Sequence, residues 1–535
     1  MMAAKKRPVS WKQRFAQEQI SRQQPGGCDA AFRTGGPAMS FSSILFLFVF
    51  LPVVLGLYYL CRERHRNLFL LIASLVFYGW AQPGLLWVLA AAVFISYGGG
   101  RLIGRAKTER GRKRILLAGV VLYLGMLFYF KYVPFTAGLI SRITGTALVP
   151  PEIAMPLGIS FYTFSGISYL TDVSRGKGAA ERSFLRLALY IAFFPKLLEG
   201  PIARYSQLGE ELKKRTVTVD DFAYGLERFI IGLAKKAIVA DSLGAVVDRI
   251  WNAGVSQNTV AIAWFGSLAY MMQIYFDFSG YCDMAVGLGR LFGFHLPENF
   301  RLPYLSKSIS EFWRRWHITL GSWFRDYVYI PLGGNRRHVY LNLAVVFLLT
   351  GLWHGASMHY VIWGMWNGLF VLLERFLRRR GMHPALKTPG LGGMDLRSGE
   401  NVRRPRRFFR VKNVLGPAAS HLYALLVTDL AWVLFRAPGT REALAYIGTM
   451  FGAGLGKEPG FGALWYANRW IVFVLVIAVI CSTSLPAKAA DLIRRRFGRT
   501  VPLLCVKYGL LLLLFYLSIL RVVSGSYHAF IYFQF

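Results

Sequence analysis

Long apolar runs make up most of the chain, and short polar or basic segments separate them. Several runs approach the roughly 20 residues that a helix needs to cross a bilayer. We therefore predict an all-α polytopic membrane protein with about eleven transmembrane helices, plus re-entrant or interfacial helices around a central cavity. The predicted apolar segments cover residues 41–60, 67–81, 85–98, 115–140, 153–171, 184–202, 222–250, 260–291, 339–353, 360–377, 417–436, 464–486 and 503–523.

Some of these runs contain helix breakers, and one further segment is too polar to face lipid. Pro156 and Gly158 interrupt the run at 153–171, and Gly200 precedes a proline near the end of the run at 184–202. Non-helical backbone at membrane depth is tolerated where it is buried in protein or lines a water-filled cavity. The breaks therefore predict broken or re-entrant helices beside a cavity. Residues 301–335 are aromatic and charged, so we expect a buried or interfacial helical segment there.

Basic residues cluster between the apolar runs, and they set the predicted topology. The 63 basic and 27 acidic side chains give a formal charge of +36. Loops rich in Lys and Arg remain in the cytoplasm, so the clustering favours a membrane protein surrounded by lipid and argues against a nucleic-acid partner. We expect one membrane domain over residues 39–535, with a basic cytoplasmic loop at about 378–414. The clusters lie at Arg101 to Arg114, Arg336–Arg337, Arg378–Arg380, Arg403 to Lys412 and Arg494 to Arg499.

The first 38 residues conflict with this topology. Three predicted spans precede the basic segment at 101–114, which would put residues 1–38 outside the cytoplasm. That stretch is itself basic, however, and such a segment prefers the cytoplasm. The conflict disappears if translation starts at Met39. We therefore expect residues 1–38 to be a basic extension that is either disordered or not native.

A hairpin with one short arm lies between two basic segments. Arg336–Arg337 and Arg378–Arg380 should both be cytoplasmic, so the runs at 339–353 and 360–377 must enter the membrane and return. The first run reaches only roughly 22 Å at 1.5 Å per residue, whereas the hydrocarbon core is roughly 30 Å thick. The turn from His354 to His359 is therefore predicted to lie within membrane depth.

His354 is the leading candidate for chemistry. An ionisable side chain at membrane depth is costly and is by default a functional hypothesis. A neutral imidazole can accept a proton from a hydroxyl nucleophile near neutral pH. Gly351 and Gly355 flank the histidine and would let a substrate approach the backbone. The alternative is a structural histidine bonded to a backbone carbonyl.

Other catalytic and metal-binding patterns are missing. The sequence has no GxSxG, HExxH or Walker A motif. His354 and His359 would point roughly 140° apart on a helix, so we expect no metal site. The five cysteines include no CxxC pair and are expected to be packing residues.

A second histidine, His317, lies in an aromatic and basic segment. We predict a helix there, and the i, i+3, i+4, i+7 spacing places four side chains on one face. Ordinary packing is the expected role of Trp313 and Leu320. The polar position of His317 is harder to explain by packing, so we keep it as a candidate site residue. The predicted face consists of Trp313, Trp316, His317 and Leu320.

Charged residues around this segment allow two readings. Arg314 and Arg315 are suited either to the phosphates of an acyl donor or to lipid head groups, and Arg315 is also spaced to pair with Glu311. Asp277 and Asp283 lie in an apolar run and are expected to pair with buried arginines. The connector at Asn299 and Arg301 is expected to break the helix and to form hydrogen bonds.

Several longer motifs carry a family resemblance between Met39 and Phe535. They are FSSILFLF at 41–48, PLGISFYTFSGISYLTDVSRG at 156–176, FFPKLLEGPIARY at 193–205, YFDFSGYCDMAVGLGRLFGFHLPENF at 275–300, EFWRRWHITLGSWFRDYVYIPLGGNRR at 311–337, TGLWHGA at 350–356 and the terminal FIYFQF. Together they resemble the membrane-bound O-acyltransferases, and most closely the alginate O-acetylation branch.

The resemblance implies a reaction and its partners. The family's essential histidine maps onto His354, and its second polar site maps onto His317. The implied donor is cytosolic acetyl-CoA, with no tightly bound cofactor, and the implied location is the bacterial inner membrane. Periplasmic esterase-like partners of the SGNH type would complete O-acetylation of an exopolysaccharide. Candidate residues for contacts with the donor or another substrate are Trp313, Arg314, Arg315, Trp316 and Trp353.

Departures from the family pattern leave the acceptor open. Lys196 and Glu199 stand where the branch usually has uncharged residues, and Asn367 stands where a histidine is common. One alternative is acyl or D-alanyl transfer to teichoic acid, peptidoglycan or a lipid. Another is a transporter or acyl conduit without chemistry of its own. Hydrolysis of the donor that depends on His354 would distinguish an enzyme from a conduit.

Overall fold

The computed structural model describes residues 39–145, 151, 153–380, 416–453, 462–498, 500–524 and 530–531. The regular elements in these ranges are helices. The predicted extension at 1–38 lies outside the described residues, as does nearly all of the basic loop predicted at about 378–414. The boundaries of a single domain at 39–535 stay a prediction.

The first helices match the predicted apolar runs, although several are split. A π-helical turn, Phe46–Phe50, leads into α1, and another, Phe128–Tyr132, joins α4 to α5. The run predicted at 184–202 divides into two short helices, α7 and α8. The helices are α1 (Leu51–Leu60), α2 (Arg66–Ala81), α3 (Leu86–Arg105), α4 (Glu109–Leu127), α5 (Val133–Thr144), α6 (Ile159–Ser174), α7 (Phe184–Ala192), α8 (Phe194–Leu197), α9 (Tyr205–Lys213), α10 (Val219–Ala234) and α11 (Asp241–Asn252).

The later helices include the predicted hairpin, now α15 and α16. A π-helical segment, Lys235–Ala240, precedes α11, and another, Arg325–Tyr329, follows α14. The helices are α12 (Val260–Leu291), α13 (Ile309–Arg315), α14 (Ile318–Phe324), α15 (Val339–His354), α16 (Met358–Arg379), α17 (Pro417–Arg436), α18 (Thr440–Met450), α19 (Ala463–Tyr466), α20 (Arg469–Cys481), α21 (Leu485–Phe497) and α22 (Val501–Val523).

Four helical stretches in the described ranges are long and apolar enough to cross a membrane, and a fifth is added if the bent pair α20 and α21 counts as one span. The four are Pro83–Arg105, Glu109–Ser141, Ala418–Arg436 and Val501–Val523. These helices confirm the predicted all-α, multi-pass membrane class. The count of about eleven spans stays a prediction, because many of the other apolar helices are short or broken.

The 32-residue helix α12 lies at the centre of the described structure. Its hydrophobic run is almost entirely buried, and Thr259 caps its first turn by accepting a hydrogen bond from the Ile262 amide. α10 packs closely along it at glycines. A Cβ atom on Gly232 would lie 2.6 Å from the Gly280 carbonyl oxygen, and one on Gly280 would lie 2.8 Å from the Gly232 carbonyl oxygen. Small residues at such a contact let two helix backbones approach closely.

We expect Gly232→Ala to destabilise the protein because the added methyl group has no room between α10 and α12. Overpacking of this kind costs about 1–3 kcal/mol and should lower the melting temperature of the purified protein. Gly98→Ala is the matched control, because no heavy atom lies within 4 Å of a Cβ built on that helical glycine. Equal melting temperatures for the two variants would contradict the close packing.

The carboxylates of α12 are paired as expected, but largely with lysines. Asp283 bonds to Arg228 at 2.7 Å and to Lys235 at 2.6 Å. Asp277 instead bonds to the buried Lys236 at 2.7 Å, so the prediction of an arginine partner is wrong for Asp277. The cause is the position of Lys235–Ala240, which follows α10 and places two consecutive lysines opposite α12.

Candidate functional site

His354 is the last residue of α15 and lies in the wall of a cavity. The imidazole is buried, with only 2% of the residue exposed. The cavity lies between the end of α15, the segment that enters α6, and the turn after α8. Its lining is mostly apolar, with three ionisable side chains: Lys131, Glu199 and His354. The lining residues are Lys131, Met155, Pro156, Leu157, Gly158, Ile159, Ser160, Phe161, Leu198, Glu199, Trp353 and His354.

The helical hairpin positions His354 through tight packing. α15 ends at His354, a short turn follows, and α16 begins at Met358. A Cβ atom on Gly351 would collide with the Tyr360 carbonyl oxygen, and one on Gly355 would collide with the Tyr360 ring. The prediction that these glycines leave room for substrate is therefore wrong, because the space beside them is filled by α16. The position of the turn within membrane depth stays a prediction.

Two side chains from the π-helical turn Phe128–Tyr132 cap the end of α15. The Tyr132 hydroxyl donates to the Leu352 carbonyl at 2.7 Å, and the buried Lys131 ammonium donates to the carbonyls of Trp353 and His354. These carbonyls lack intrahelical partners, and a cation is favourable at the C-terminus of a helix. Sequence analysis missed Lys131, although a lysine inside an apolar run was a signal that could have identified it.

Aromatic rings surround the His354 imidazole. Its centroid lies 4.8 Å from those of Trp353 and Trp363, and 5.2 Å from that of Phe435. Trp363 and Trp432 in turn stack at 6.1 Å. Such rings fill the space around the imidazole and keep bulk water away from it. The apolar environment therefore leaves the cavity as the side from which a reactant can reach the histidine.

His317 does not lie on a continuous helix, so that prediction is wrong. α13 ends at Arg315 and α14 begins at Ile318, and His317 adopts a left-handed conformation with φ of 45° between them. A non-glycine residue in this region is uncommon and costs free energy. The break also removes the predicted common face, because Trp316 and His317 are no longer in helical register with Trp313.

Asn299 holds the break in place. Its Oδ1 atom accepts hydrogen bonds from the Thr319 amide at 3.1 Å and the Thr319 hydroxyl at 2.9 Å, and it lies 3.1 Å from His317 Nδ1. The Ile318 amide donates to the Asn299 carbonyl at 3.0 Å, and the Arg301 amide donates to the Arg315 carbonyl at 2.9 Å. The structure confirms that the connector at Asn299 and Arg301 forms hydrogen bonds.

Both histidines lie close to one indole, that of Trp353. The Trp353 ring lies 4.8 Å from the His354 ring and 6.0 Å from the His317 ring. Trp353 also stacks on Phe164 at 5.6 Å, and Phe278 closes the other side of His317 at 4.8 Å. Residues that are 37 positions apart in sequence (317 and 354) therefore belong to one buried site.

Known proteins are similar to this chain over most of its length. A probable alginate O-acetylase of Pseudomonas putida is 39% identical over 518 residues, which cover 93% of this chain and 100% of the relative. A second, from Pseudomonas aeruginosa, is 44% identical over 424 residues, or 78% of this chain and 75% of the relative. The model of the membrane-bound O-acyltransferase family matches residues 172–391, which include both histidines.

The chain belongs to the membrane-bound O-acyltransferase family. A peptidoglycan O-acetyltransferase of Helicobacter pylori is also similar, at 32% identity over 77% of this chain and 80% of the relative. The multi-pass membrane character therefore rests on the apolar helices and on the family, whereas the O-acyltransferase class rests on the family and its relatives.

Of the other predicted site residues of this O-acyltransferase, only Trp353 lines the cavity. Trp316 is buried among aromatic rings, including Trp432 at 4.8 Å and Phe300 at 5.0 Å. Trp313 donates from Nε1 to the Asn367 side chain at 3.2 Å. The two tryptophans therefore pack the core beside the site and do not line the cavity.

Arg314 and Arg315 do not line the cavity either. Arg315 pairs with Glu311 at 2.7 Å, which confirms the predicted i, i+4 pair. The amides of Ile309 and Ser310, at the start of α13, donate to the Glu374 carboxylate on α16 at 2.6 and 2.9 Å. These contacts fix α13 and its arginines next to the end of α16 that carries the basic residues Arg378–Arg380.

Proposed function

We propose that this O-acyltransferase passes acetyl groups from cytosolic acetyl-CoA across the bacterial inner membrane for O-acetylation of a periplasmic, alginate-like exopolysaccharide. The observation that carries the proposal is His354 in the wall of a buried cavity, next to Trp353 and close to His317. The names of the two Pseudomonas relatives support an acetylated polysaccharide as the final acceptor. Esterase-like periplasmic proteins of the SGNH type are the proposed partners.

The proposed chemistry is direct transfer from a thioester to a hydroxyl group. His354 takes the proton of the acceptor hydroxyl as its oxygen attacks the acetyl carbonyl carbon. The C–S bond then breaks, and the protonated imidazole returns the proton to the departing CoA thiolate. The products are the acetyl ester and free CoA, and no serine nucleophile is required. The apolar rings around His354 slow the entry of bulk water. Hydrolysis of the thioester with the same base is therefore a slow background reaction, which releases CoA when no acceptor is present.

Peptidoglycan is the second candidate for the final acceptor, because the Helicobacter pylori relative is named for it. Its identity of 32% is lower than the 39% and 44% of the two alginate O-acetylases. Deletion of the gene in its own bacterium separates the two candidates. Loss of acetyl esters from secreted polysaccharide supports the proposal, whereas loss from the cell wall alone supports peptidoglycan.

The enzymatic part of the proposal is tested with the purified full-length protein in lipid nanodiscs. Acetyl-CoA labelled in the acetyl group is added, and the release of free CoA is followed. We expect release in the wild type and none above background in a His354 variant. A wild type that releases no CoA, or equal release in both proteins, would instead indicate a conduit without chemistry of its own.

We expect Arg315→Ala to raise the KM for acetyl-CoA more than it lowers kcat. The physical reason is the loss of a cation that binds donor phosphates equally in the ground and transition states. Glu311→Gln is the control, because it removes the carboxylate partner of Arg315 but leaves the arginine charge in place. A normal KM with a collapsed kcat for Arg315→Ala would contradict donor binding and indicate a role in the fold or the transition state.

A further inference from the structure

Glu199 is a buried carboxylate in the wall of the His354 cavity, and it takes no part in the proton transfer at His354. Only 2% of the residue is exposed. Neither carboxylate oxygen has a hydrogen-bond partner among the residues that the structure describes. Burial of a polar group without a partner costs free energy, and such groups are rare in native proteins. A bound reactant that supplies a donor would remove this cost.

The buried ammonium groups of this region are bonded to other acceptors. Lys131 donates to the carbonyls at the end of α15. Lys196 donates to the Ser165 hydroxyl at 3.3 Å and lies over the Tyr190 ring. Lys236 pairs with Asp241 at 2.8 Å and with Asp277 at 2.7 Å. In the described structure, none of these three lysines forms a direct salt bridge with Glu199, although the charge of Lys236 acts on its carboxyl group from further away.

The segment that carries Glu199 is connected to the surroundings of both His317 and His354. The Ile202 amide donates to the Thr319 hydroxyl at 3.1 Å, and Thr319 bonds to the same Asn299 oxygen that faces His317. Leu198 and Glu199 line the same cavity as His354. The carboxylate is therefore held in a fixed place relative to both histidines, as a residue that positions a reactant must be.

We propose that Glu199 binds an amide N–H of the pantetheine arm of the acyl thioester and thereby positions the thioester carbonyl at His354. The proposal rests on the proposed function, because it takes an acyl-CoA thioester as the donor. The carboxyl group of Glu199 can accept a hydrogen bond in either protonation state. The single hydrogen of the reacting hydroxyl is taken by His354, so it is not available to Glu199. The amide N–H nearest the sulfur, by contrast, is not consumed in the reaction.

The rest of the cavity suits the same ligand. Met155, Pro156, Leu157 and Phe161 give it an apolar wall that can pack against the methylene groups of a pantetheine arm. A hydrogen bond from a substrate amide would satisfy a buried carboxyl oxygen that otherwise has no partner in the described structure. A site built to bond a substrate N–H discriminates against an analogue that lacks it, because the buried acceptor is then left unpaired.

The test compares two small thioesters on the full-length protein in nanodiscs, with thiol release as the readout. S-acetyl-N-acetylcysteamine has the amide N–H near the sulfur, and S-propyl thioacetate lacks it. We expect the wild type to prefer the amide probe by at least roughly 10-fold in kcat/KM. Glu199→Ala should reduce this preference to near one and raise the KM for acetyl-CoA. Glu199→Gln should retain part of the preference, because its amide oxygen still accepts a hydrogen bond.

Asp429→Asn is the matched control, because Asp429 is a buried acid that bonds to Ser267 at 2.9 Å and does not line the cavity. Its preference between the probes should equal that of the wild type. A preference that is absent from the wild type, or unchanged in Glu199→Ala, would overturn the proposal. If Glu199→Ala does not fold, Glu199→Gln with a lower melting temperature and an unchanged preference would also overturn it. Failure of the wild type to release CoA from acetyl-CoA would instead overturn the proposed function.

Discussion

Replacement of His354 by alanine is expected to abolish CoA release from acetyl-CoA, while the protein still inserts and purifies. A general base typically contributes roughly 10²–10⁴-fold in rate, so the loss should be at least that large. His354→Gln should be nearly as inactive, since the amide preserves hydrogen bonding but cannot transfer the proton. The cap formed by Lys131 and Tyr132 acts on backbone carbonyls, so the end of α15 should survive either change.

His359→Gln is the matched control for this pair. His359 is also buried in the hairpin, where its ring bonds to the Ser357 hydroxyl at 2.8 Å, but it does not line the cavity. Its replacement should therefore leave CoA release within a few fold of the wild type. The structural reading of His354 predicts the reverse pattern, in which alanine destabilises the protein and glutamine restores both stability and activity. An active His354→Gln enzyme would refute the catalytic assignment.

The hairpin that carries His354 could be predicted from the sequence, because the basic clusters and the length of each apolar run can be read directly from it. Basic clusters at both ends and a short first arm predicted a chain that enters the membrane and returns, and α15 and α16 have those bounds within a few residues. The glycines of the hairpin were harder to interpret. A glycine leaves space for a neighbour, but the sequence does not show whether a substrate or another helix fills that space. The folded structure shows that α16 occupies the space beside Gly351.

The conformation of His317 was beyond local pattern analysis. The residues around it have helical spacing, and the break is stabilised by Asn299, which lies 18 positions earlier in the sequence. Hydrogen bonds from a side chain that is distant in sequence do not affect the periodicity of hydrophobic and polar positions. Lys131 and Glu199 differ in this respect, because an ionisable residue in an apolar run is visible in the sequence. What such a residue contacts still requires the fold.

The family's second polar site maps onto His317, so loss of this side chain should lower CoA release by about 100-fold. That figure is the lower end of the range for a side chain that assists proton transfer. The backbone conformation at this position allows the effect of the side chain to be separated from the effect of backbone strain. With φ at 45°, an alanine keeps the left-handed strain of roughly 1–2 kcal/mol, whereas a glycine does not. We therefore expect His317→Gly to be more stable than His317→Ala by about 1 kcal/mol, although both variants should show the same loss of activity.

His338 provides the control, because it has a φ of 46° and is exposed at the start of α15, outside the cavity. His338→Gly should likewise be more stable than His338→Ala, as measured by thermal unfolding, but both should release CoA at the wild-type rate. The two positions together separate backbone strain from the contribution of the imidazole. If His317→Gly were as active as the wild type, the side chain would have no part in the reaction, and the contact with Trp353 would be packing alone. If it were inactive but also unfolded, while His338→Gly remained folded, the ring of His317 would be a structural element held by Asn299.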